Sequence, residues 1–363
     1  MVASKEIRLG PSTIVIERGV FGRIGDLVRQ AAPAHRYAII TDSNVGPIYA
    51  QKVRDQFKAN TIDVFVVPAG EAHKTRETWA NITDQLLAAG YARDSAVIAL
   101  GGGVVGDMAG FVAATFMRGI PVVQIPTTLL AMIDASIGGK TAVDTPAGKN
   151  LVGTFHPPAG VIVEPQVLAT LPLRELRAGF AEAIKHGVIA DEPYLLEVAS
   201  ALPELLSTDG SKSDTMDSLI VRSVEIKADV VSRDEREEGL RKILNFGHTI
   251  GHAIELVTGY SLLHGEAVGI GMALESQLAE MIGVAQIGTA ATVMKTLELA
   301  ELPTGIPPGC GIDAVIQAMR SDKKARLGSI EVSLPLRIGA MAGEKTGWTV
   351  SVTDDQLREV LAP

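Results

Sequence analysis

The first half of the chain alternates between two hydrophobic patterns. Short runs rich in β-branched residues recur, and stretches with a helical period lie between several of them. The runs predicted as strands are Thr13–Glu17, Tyr37–Thr41, Ile62–Val67, Ala96–Leu100, Pro121–Ile125 and Val161–Glu164. The stretches predicted as helices include Pro47–Lys58, which has proline at its first position, and Thr75–Ala89. Such alternation predicts an α/β fold with a largely parallel sheet.

The pattern changes near Thr170-Leu171-Pro172. From Leu173 to about Met319, apolar residues recur with the period of a helix and few strand candidates occur. We therefore predict an α/β domain over residues 1–172 and a mostly α-helical domain over residues 173–363. Two late β-like runs, Ser329–Ile338 and Trp348–Thr353, have no evident place in this scheme.

Composition narrows the class of protein. Of 363 residues, 47% are hydrophobic and 21% are charged, and the net charge of −9 argues against a nucleic-acid partner. The single cysteine, Cys310, excludes an internal disulfide framework and a cysteine-based zinc site. The N-terminus has no apolar segment, and no run of 18 uncharged apolar residues occurs. These features predict a cytoplasmic enzyme with no membrane partner.

A glycine turn follows the predicted strand Ala96–Leu100. The sequence from Gly101 to Asp107, GGGVVGD, contains G-x-G-x-x-G directly before an apolar helix-like stretch. This order brings backbone N–H groups against a pyrophosphate in dinucleotide-binding proteins, although a tight strand-to-helix turn explains the glycines equally well. Gly139-Lys140-Thr141 is not a P-loop, because the required glycine five residues before Gly139 is missing.

Three of the seven histidines lie within 17 residues, which suggests a divalent metal site with nitrogen ligands and one carboxylate. His248 and His252 are four residues apart, so they share a face if the segment is helical, and spacing alone predicts them as the ligand pair. His264 begins another apolar stretch. Thr249 stands where the H-E-x-x-H motif needs glutamate. The alternative is a set of ordinary core or surface histidines. Spacing leaves the carboxylate open among Glu182, Glu255 and Glu266.

Charged residues also occur in unusual places. Asp134 and Lys140 interrupt an apolar segment, and Lys185 lies one helical turn after Glu182, where a solvated ion pair is the simpler explanation. Further polar residues before and after the histidines are Lys227, Arg241, Asn245, Asp322, Lys323 and Lys324. Together with a metal and a nucleotide turn, they predict a pocket for a phosphorylated, carboxylated small molecule. A metal-dependent polyol dehydrogenase and a non-catalytic NAD-binding sensor are the alternatives.

Six sequence blocks resemble the successive motifs of the 3-dehydroquinate synthases, a branch of the sugar-phosphate cyclase family. They are GGGVVGDMAGF, the long block over residues 118–153, AGFAEAIKHG, LNFGHTIGHAIE, LHGEAVGIGM and MRSDKK. The resemblance runs in order from about residue 40 to residue 340. It implies an NAD-binding α/β domain followed by a helical metal domain. A sister sugar-phosphate cyclase is a further alternative.

The resemblance also implies roles for individual residues. It makes Glu182, His248 and His264 the ligands of zinc or cobalt, and moves His252 to a substrate-facing role. It implies NAD contacts at Asp42, Glu71, Lys74, Gly102, Gly103, Asp107, Thr127, Thr128, Thr170 and Leu171. It implies substrate contacts at Asp134, Lys140, Lys149, Asn150, Lys185, Lys227, Arg241, Asn245 and one of Lys323 and Lys324. Lys140, Lys185, His252 and Asn245 are expected to act in catalysis.

Arg118 matches an arginine that, in this family, reaches the substrate phosphate from the partner subunit, so the resemblance implies a homodimer. The family reaction belongs to the shikimate pathway of aromatic amino-acid biosynthesis. It converts 3-deoxy-D-arabino-heptulosonate 7-phosphate into 3-dehydroquinate and phosphate. It combines transient oxidation by NAD, phosphate elimination, reduction and an intramolecular aldol closure.

Overall fold

The computed structural model describes residues 4–146, 148–207, 210, 213–321 and 330–362, so Lys323 and Lys324 lie outside the described residues. The chain divides into two compact units. The first comprises the residues up to Leu171 together with Met216–Ala228, and the second comprises Pro172–Thr215 and the residues from Asp229 onward. Among the described residues, no helix is both long enough and apolar enough to cross a membrane.

The first unit is built on a seven-stranded sheet. The described part of this unit contains nine strands, seven in the sheet and two in a separate hairpin. They are β1 (Lys5–Leu9), β2 (Ser12–Ile16), β3 (Arg36–Asp42), β4 (Ile62–Val67), β5 (Ser95–Gly101), β6 (Val122–Pro126), β7 (Lys140–Thr145), β8 (Gly148–Phe155) and β9 (Gly160–Val163). The sheet order is β1-β2-β9-β6-β5-β3-β4, and only β1 and β2 pair antiparallel. Strands β7 and β8 form a separate antiparallel hairpin. The predicted α/β class is confirmed.

Four α-helices accompany this sheet: α1 (Ile24–Ala31), α2 (Gln51–Arg54), α3 (Arg76–Ala88) and α4 (Gly103–Thr115). The single helix expected over Pro47–Lys58 is wrong in extent. One turn of π-helix over Gly46–Ala50 leads into α2, which ends at Arg54. The amide of Gln56 instead bonds to the start of α1, accepting from the Gly25 N–H at 2.9 Å and donating to the Phe21 carbonyl. These tertiary contacts outweigh the local helical preference.

The second unit is mainly helical, as its apolar period indicates. Its helices are α5 (Leu173–Ala190), α6 (Glu192–Leu205), α7 (Asp214–Arg233), α8 (His248–Val257), α9 (His264–Met281), α10 (Thr289–Leu299), α11 (Ile312–Ser321) and α12 (Asp354–Leu361). The middle of α7 belongs to the first unit. The late β-like runs form two antiparallel pairs from β10 (Ile330–Val332), β11 (Pro335–Arg337), β12 (Ala340–Met341) and β13 (Val350–Val352). Apolar residues of β10 and β13 share a core with α8, α9, α11 and α12.

Candidate active site

Most of the residues predicted to bind NAD follow the carboxyl ends of parallel strands. Asp42 ends β3, the glycine turn follows β5, and Thr127 and Thr128 follow β6. Glu71 and Lys74 come shortly after β4, and Thr170 and Leu171 come shortly after β9. The carboxyl ends of parallel strands meet at one edge of a sheet, where open α/β sheets bind their ligands. The sheet topology therefore brings these residues to one edge.

The glycine turn at this edge is sterically required. A Cβ on Gly101 would lie 2.7 Å from Val105 Cβ, and one on Gly106 would lie 2.9 Å from Gln124 Oε1. Helix α4 begins in this turn, and no side chain among the described residues caps it. Thr127 Oγ1 is buried, and within the described part of the chain it has no hydrogen-bond partner. A bare helix N-terminus beside an orphaned hydroxyl fits the phosphates of a dinucleotide.

A buried lysine organises the polar side chains next to the turn. Lys74 Nζ lies 2.6 Å from Asp107 Oδ2 and donates to Asn150 Oδ1 at 2.6 Å. Lys149 Nζ lies 3.3 Å from Glu71 Oε1. Burial lowers the pKa of Lys74, but the charges of Asp107 and Glu71 outweigh it and raise that pKa above its usual value. Lys74 therefore stays charged and fixes the carboxylates around it.

Three predicted substrate residues of the first unit have distinct settings. Asp134 lies in a one-turn π-helix over Ala131–Ala135, a local distortion that often marks functional sites. Lys227 Nζ lies 2.7 Å from Asp134 Oδ1 and donates to the Asp134 carbonyl at 2.6 Å. Lys140 is exposed at the start of β7. The structure thus pairs Asp134 with Lys227 and leaves the Lys140 side chain at the surface of the unit.

Arg118 is the most unusual of these residues in its backbone. It is exposed, and its φ of 70° is left-handed. Met117 before it has φ 51°, and Gly119 after it has φ 114°. Left-handed backbone is unfavourable for residues with side chains and persists where the surrounding structure imposes it, often at functional sites. The end of α4 therefore holds Arg118 in a fixed, outward-facing turn.

The histidine cluster forms a compact group in the second unit. Glu182 on α5 is fully buried, and its Oε1 lies 3.6 Å from both His248 Nε2 and His264 Nε2. Two atoms that ligate one tetrahedral zinc ion at about 2.1 Å are about 3.4 Å apart. The three groups therefore fit one divalent ion. The His252 ring lies 5.2 Å from that of His248 and 5.7 Å from that of His264, and its ligand atoms fall within the same cluster.

The geometry also distinguishes among Glu182, Glu255 and Glu266, the three carboxylates that sequence spacing left as candidate metal ligands. Glu255 Oε1 lies 3.5 Å from His264 Nδ1, the nitrogen on the other side of that ring. Glu266 makes two 2.7 Å hydrogen bonds with Arg174 and accepts from the Leu263 N–H. Only Glu182, of these three, approaches both Nε2 atoms. Glu255 orients His264, as carboxylates do behind zinc-bound histidines, and Glu266 caps α9.

Burial and nearby charges shift the pKa values of His248 and His264 in opposite directions. Burial, reinforced by the charge of Lys185, holds the pKa of His248 well below its usual value. Burial also lowers the pKa of His264, but Glu255 and Glu182 outweigh it and raise that pKa to about 10. Lys185 is itself buried in an ion pair with Glu182. His248 is therefore a neutral imidazole, the form that ligates metals.

Glycines allow α5, α8 and α9, the helices that carry Glu182, His248 and His264, to approach one another closely. A Cβ on Gly265 would lie 1.9 Å from the Ala178 carbonyl oxygen of α5. A Cβ on Gly271 would lie 1.9 Å from the Gly247 carbonyl oxygen, and one on Gly251 would lie 3.0 Å from that of Ala267. Larger residues would push α5, α8 and α9 apart. The glycines of the LHGEAVGIGM and NFGHTIGH blocks thus place Glu182, His248 and His264 within reach of one another.

Arg241 and Asn245 lie in the segment that precedes α8. Arg241 is 1% exposed, its Nη1 donates to the Glu235 carbonyl, and its backbone N–H donates to Asp234 Oδ2 at 3.0 Å. Asn245 Nδ2 donates to Glu237 Oε1 at 2.8 Å. Burial raises the pKa of Asp234, but backbone N–H bonds outweigh it and lower that pKa. Acidic residues in the preceding loop therefore hold both predicted substrate residues.

Comparison with known proteins agrees with this geometry. A profile for the N-terminal region of 3-dehydroquinate synthase matches residues 64–178, and one for its C-terminal region matches residues 179–325. The chain belongs to the 3-dehydroquinate synthase family. A relative named 3-dehydroquinate synthase, from Symbiobacterium thermophilum, is 46% identical over 331 residues, which cover 90% of this chain and 91% of the relative.

Solved structures of related cyclases share the fold of this 3-dehydroquinate synthase family member. A 2-deoxy-scyllo-inosose synthase in complex with carbaglucose-6-phosphate, NAD⁺ and Co²⁺ has a TM-score of 0.88 at 26% identity, with 99% of each chain covered. A 2-epi-5-epi-valiolone synthase from Streptomyces hygroscopicus subsp. jinggangensis, with NAD⁺ and Zn²⁺ bound, has a TM-score of 0.84 at 29% identity. That match covers 99% of this chain and 98% of the other. Both neighbours hold NAD⁺ and a divalent metal.

Sequence reasoning overlooked several carboxylates that hold the site in this family member. Asp144 accepts from the Asn150 N–H at 2.8 Å, Glu237 holds Asn245, and the fully buried Glu275 contacts the start of α8. Asp144 and Glu237 follow no local pattern. Glu275 could have been noticed in the sequence, because it is a charged residue within the otherwise apolar face of GIGMALESQLA. Such a charge is buried only with partners.

Proposed function

We propose that this chain is a 3-dehydroquinate synthase that converts 3-deoxy-D-arabino-heptulosonate 7-phosphate into 3-dehydroquinate and phosphate. The family and its closely similar relatives support the reaction. The observation that carries the substrate assignment is the burial of three cations: Lys185 and Arg241 are 1% exposed, and Lys227 is 6% exposed. Glu182 and Asp134 pair with Lys185 and Lys227. Charged hydrogen-bond donors of this kind attract the carboxylate and the phosphate of an acidic substrate, whereas a neutral polyol offers them no anion.

The same proposal assigns the cofactors. Glu182, His248 and His264 hold zinc or cobalt, for which the support is the 3.6 Å spacing of their ligand atoms. The residues at the carboxyl edge of the sheet hold NAD, for which the support is the uncapped glycine turn beside the orphaned Thr127 hydroxyl. When bound, NAD takes up and returns a hydride, and the divalent ion stabilises negative charge on oxygen.

The chain's own residues bind and orient the substrate. We assign substrate contacts to Asp134, Lys140, Lys149, Asn150, Lys185, Lys227, Arg241 and Asn245. Lys185 and Lys140 offset phosphate and enolate-like charge, since a fixed cation stabilises developing anions best where water is excluded. Glu237 orients the Asn245 amide, and His252 faces the substrate. Because phosphate leaves by elimination, the enzyme is a carbon–oxygen lyase.

The proposal includes a cytoplasmic homodimer in which Arg118 reaches the phosphate in the partner subunit. Two observations support the dimer: Arg118 is fixed in an outward-facing turn, and β8 exposes Leu151, Val152 and Phe155 along one hairpin. Exposed apolar side chains that cluster in this way are typical of protein interfaces. The cytoplasm suits a chain whose one cysteine, Cys310, has no second cysteine to pair with.

Phosphate release from the heptulosonate substrate tests this function. With NAD at a small fraction of the substrate concentration, we expect phosphate to appear until the substrate is consumed, without an increase in NADH absorbance. Removal of metal by a chelator should stop turnover, and zinc or cobalt should restore it. Lys185→Met, which removes a buried cation, should lose turnover, and Arg222→Met, which removes an exposed one, is the control and should keep it. NADH that rises in step with substrate loss would instead identify a dehydrogenase.

A further inference from the structure

A fully buried carboxylate on α9 contacts the first turn of α8. The Gly247 N–H donates to Glu275 Oε2 at 2.5 Å, and the Ile250 N–H donates to Glu275 Oε1 at 3.0 Å. Gly247 is the N-cap of α8, with φ 79°, and it has no side chain that could cap the helix. Glu275 therefore supplies the cap from a neighbouring helix, where a negative charge also suits the helix dipole.

The contact continues through one peptide group to His248. The peptide between Phe246 and Gly247 donates its N–H to Glu275, and its carbonyl oxygen lies 3.1 Å from His248 Nδ1. A carbonyl can only accept, so Nδ1 carries the hydrogen and the lone pair of Nε2 is left facing Glu182. A carboxylate that polarises the peptide N–H also strengthens the carbonyl as an acceptor.

We propose that Glu275 is a positioning residue for His248, which it orients through the Phe246–Gly247 peptide so that Nε2 faces the metal. This inference rests on the proposed function, in which His248 is a metal ligand. Carboxylates and carbonyls behind ligating histidines are known to fix the ring orientation and tautomer. Here the Glu275 carboxylate accepts from the N–H of the same peptide group whose carbonyl contacts His248, so the carboxylate acts on His248 through that peptide.

The close packing around this turn makes the Glu275 carboxylate the acceptor on which two buried N–H groups depend. A Cβ on Gly247 would lie 2.4 Å from Met272 Cγ, and one on Gly271 would lie 1.9 Å from the Gly247 carbonyl oxygen. Without the carboxylate, two buried N–H groups would lose their acceptor in a space closed to larger groups. In Glu275→Gln the volume is kept, but the amide NH₂ faces one of the two N–H groups. That turn should then rotate, and His248 with it.

The same helix offers a matched control. Glu280 Oε1 accepts from the Ala290 N–H at 2.7 Å, at the start of α10. The N-cap of α10 is also a glycine, Gly288, with φ 96° and no side-chain cap. Helix α10 carries none of the proposed ligands or substrate residues. Glu280→Gln therefore removes a carboxylate charge from an equivalent helix start without touching the metal site.

The test is the zinc affinity of metal-free protein, measured by competition with a chromophoric chelator for wild type, Glu275→Gln and Glu280→Gln. We expect Glu275→Gln to bind zinc roughly 10- to 100-fold more weakly, as loss of a partner behind a ligand typically does. Glu280→Gln should stay within about twofold of wild type, even if both variants lose thermal stability. Glu275→Asp, which keeps the charge, serves as the second variant and should retain part of the affinity.

Two results would overturn the inference: wild-type zinc affinity in both Glu275 variants, or an equal loss in Glu280→Gln, which would show a general effect of stability. A wild-type protein that binds no zinc would refute the proposed metal site and this inference with it. A wild-type protein that binds zinc but releases no phosphate would refute the proposed reaction alone, and the comparison of affinities would still decide the role of Glu275.

Discussion

Arg241 is a buried arginine for which we propose a substrate role. Its side chain is buried and donates from Nη1 to the Glu235 carbonyl, and its backbone N–H donates to the Asp234 carboxylate. Removing a guanidinium from water costs several kcal/mol unless hydrogen bonds and an anion offset that cost. Guanidinium binds a carboxylate through two parallel hydrogen bonds, which an ammonium group cannot reproduce. We therefore assign Arg241 to the substrate carboxylate.

Replacing Arg241 by lysine should lower kcat/KM for the heptulosonate phosphate by roughly 10²-fold, because the charge remains but the paired hydrogen bonds are lost. Steady-state phosphate release measures this change. Arg337→Lys is the control, since Arg337 is about half exposed and lies 4.0 Å from Glu192, and its kinetics should match wild type. An Arg241→Lys enzyme as active as wild type would exclude the carboxylate role.

Substrate choice provides a second prediction at the residue scale. A site with buried cations for a carboxylate is left with unpaired charge when the substrate has none. Wild type should therefore prefer the heptulosonate phosphate over sedoheptulose 7-phosphate by about 10⁴-fold in kcat/KM, as sites that lose a buried polar partner do. Parallel phosphate assays of both sugars measure the ratio. Comparable turnover of the two would instead indicate a sister cyclase.

At the scale of elements, the site depends on how closely α5, α8 and α9 pack. Gly265→Ala should lower the free energy of unfolding by about 1–3 kcal/mol, because the new Cβ meets the Ala178 carbonyl oxygen. It should also weaken zinc retention, since α9 carries His264 at its first position. Urea unfolding and metal analysis after dialysis measure both effects.

Gly305→Ala is the matched control for this prediction. A Cβ at Gly305 has no atom within 4 Å among the described residues, and its backbone φ is not left-handed. Its stability and zinc content should equal those of wild type. If Gly265→Ala behaved like Gly305→Ala, close helix packing would not be what places His264.

Elements with a strong hydrophobic period could be predicted from the sequence, and those without one could not. The buried parallel strands, such as β5, lie within one or two residues of their predictions because most of their side chains are apolar. Strand β8 was overlooked, since all eight residues are exposed or half-buried and no alternation marks it. Strand β1 was overlooked too, because its charged residues alternate with few apolar ones.

The parts of the site that could be predicted are those whose residues lie close together in the sequence. The histidine cluster could be located because His248, His252 and His264 are close in sequence. The role of Glu275 could not, because its contact with Gly247 spans 28 residues and depends on how two helices pack. The roles assigned to the predicted site residues remain predictions for the experiments above. The lysines Lys323 and Lys324 lie outside the described residues.

At the scale of the whole molecule, the proposed dimer predicts that two inactive variants restore each other. Arg118→Ala lacks the arginine proposed to reach the partner's phosphate, and His248→Ala lacks a proposed metal ligand. If Arg118 acts across the dimer, a mixed dimer has one site with both groups intact. Unfolding and refolding the two variants together should therefore restore phosphate release to a sizeable fraction of wild type.

Each variant refolded alone is the control for this mixing experiment and should stay inactive. A mixture as inactive as its components, in which mixed dimers are shown to form, would place Arg118 in the site of its own subunit. A protein that sediments as a monomer at working concentration would contradict the dimer itself.

The division of the first unit between two stretches of sequence affects how the protein is made. All seven strands of its sheet precede Leu171, yet the unit is complete only with Met216–Ala228, whose last residue is translated 57 residues later. Ribosomes add about 5–20 residues per second, and nascent chains fold domain by domain. The growing sheet therefore waits roughly 3–11 s for the segment that carries Lys227. During that interval Arg18 and Asp134 lack Asp217 and Lys227, their ion-pair partners in the complete unit.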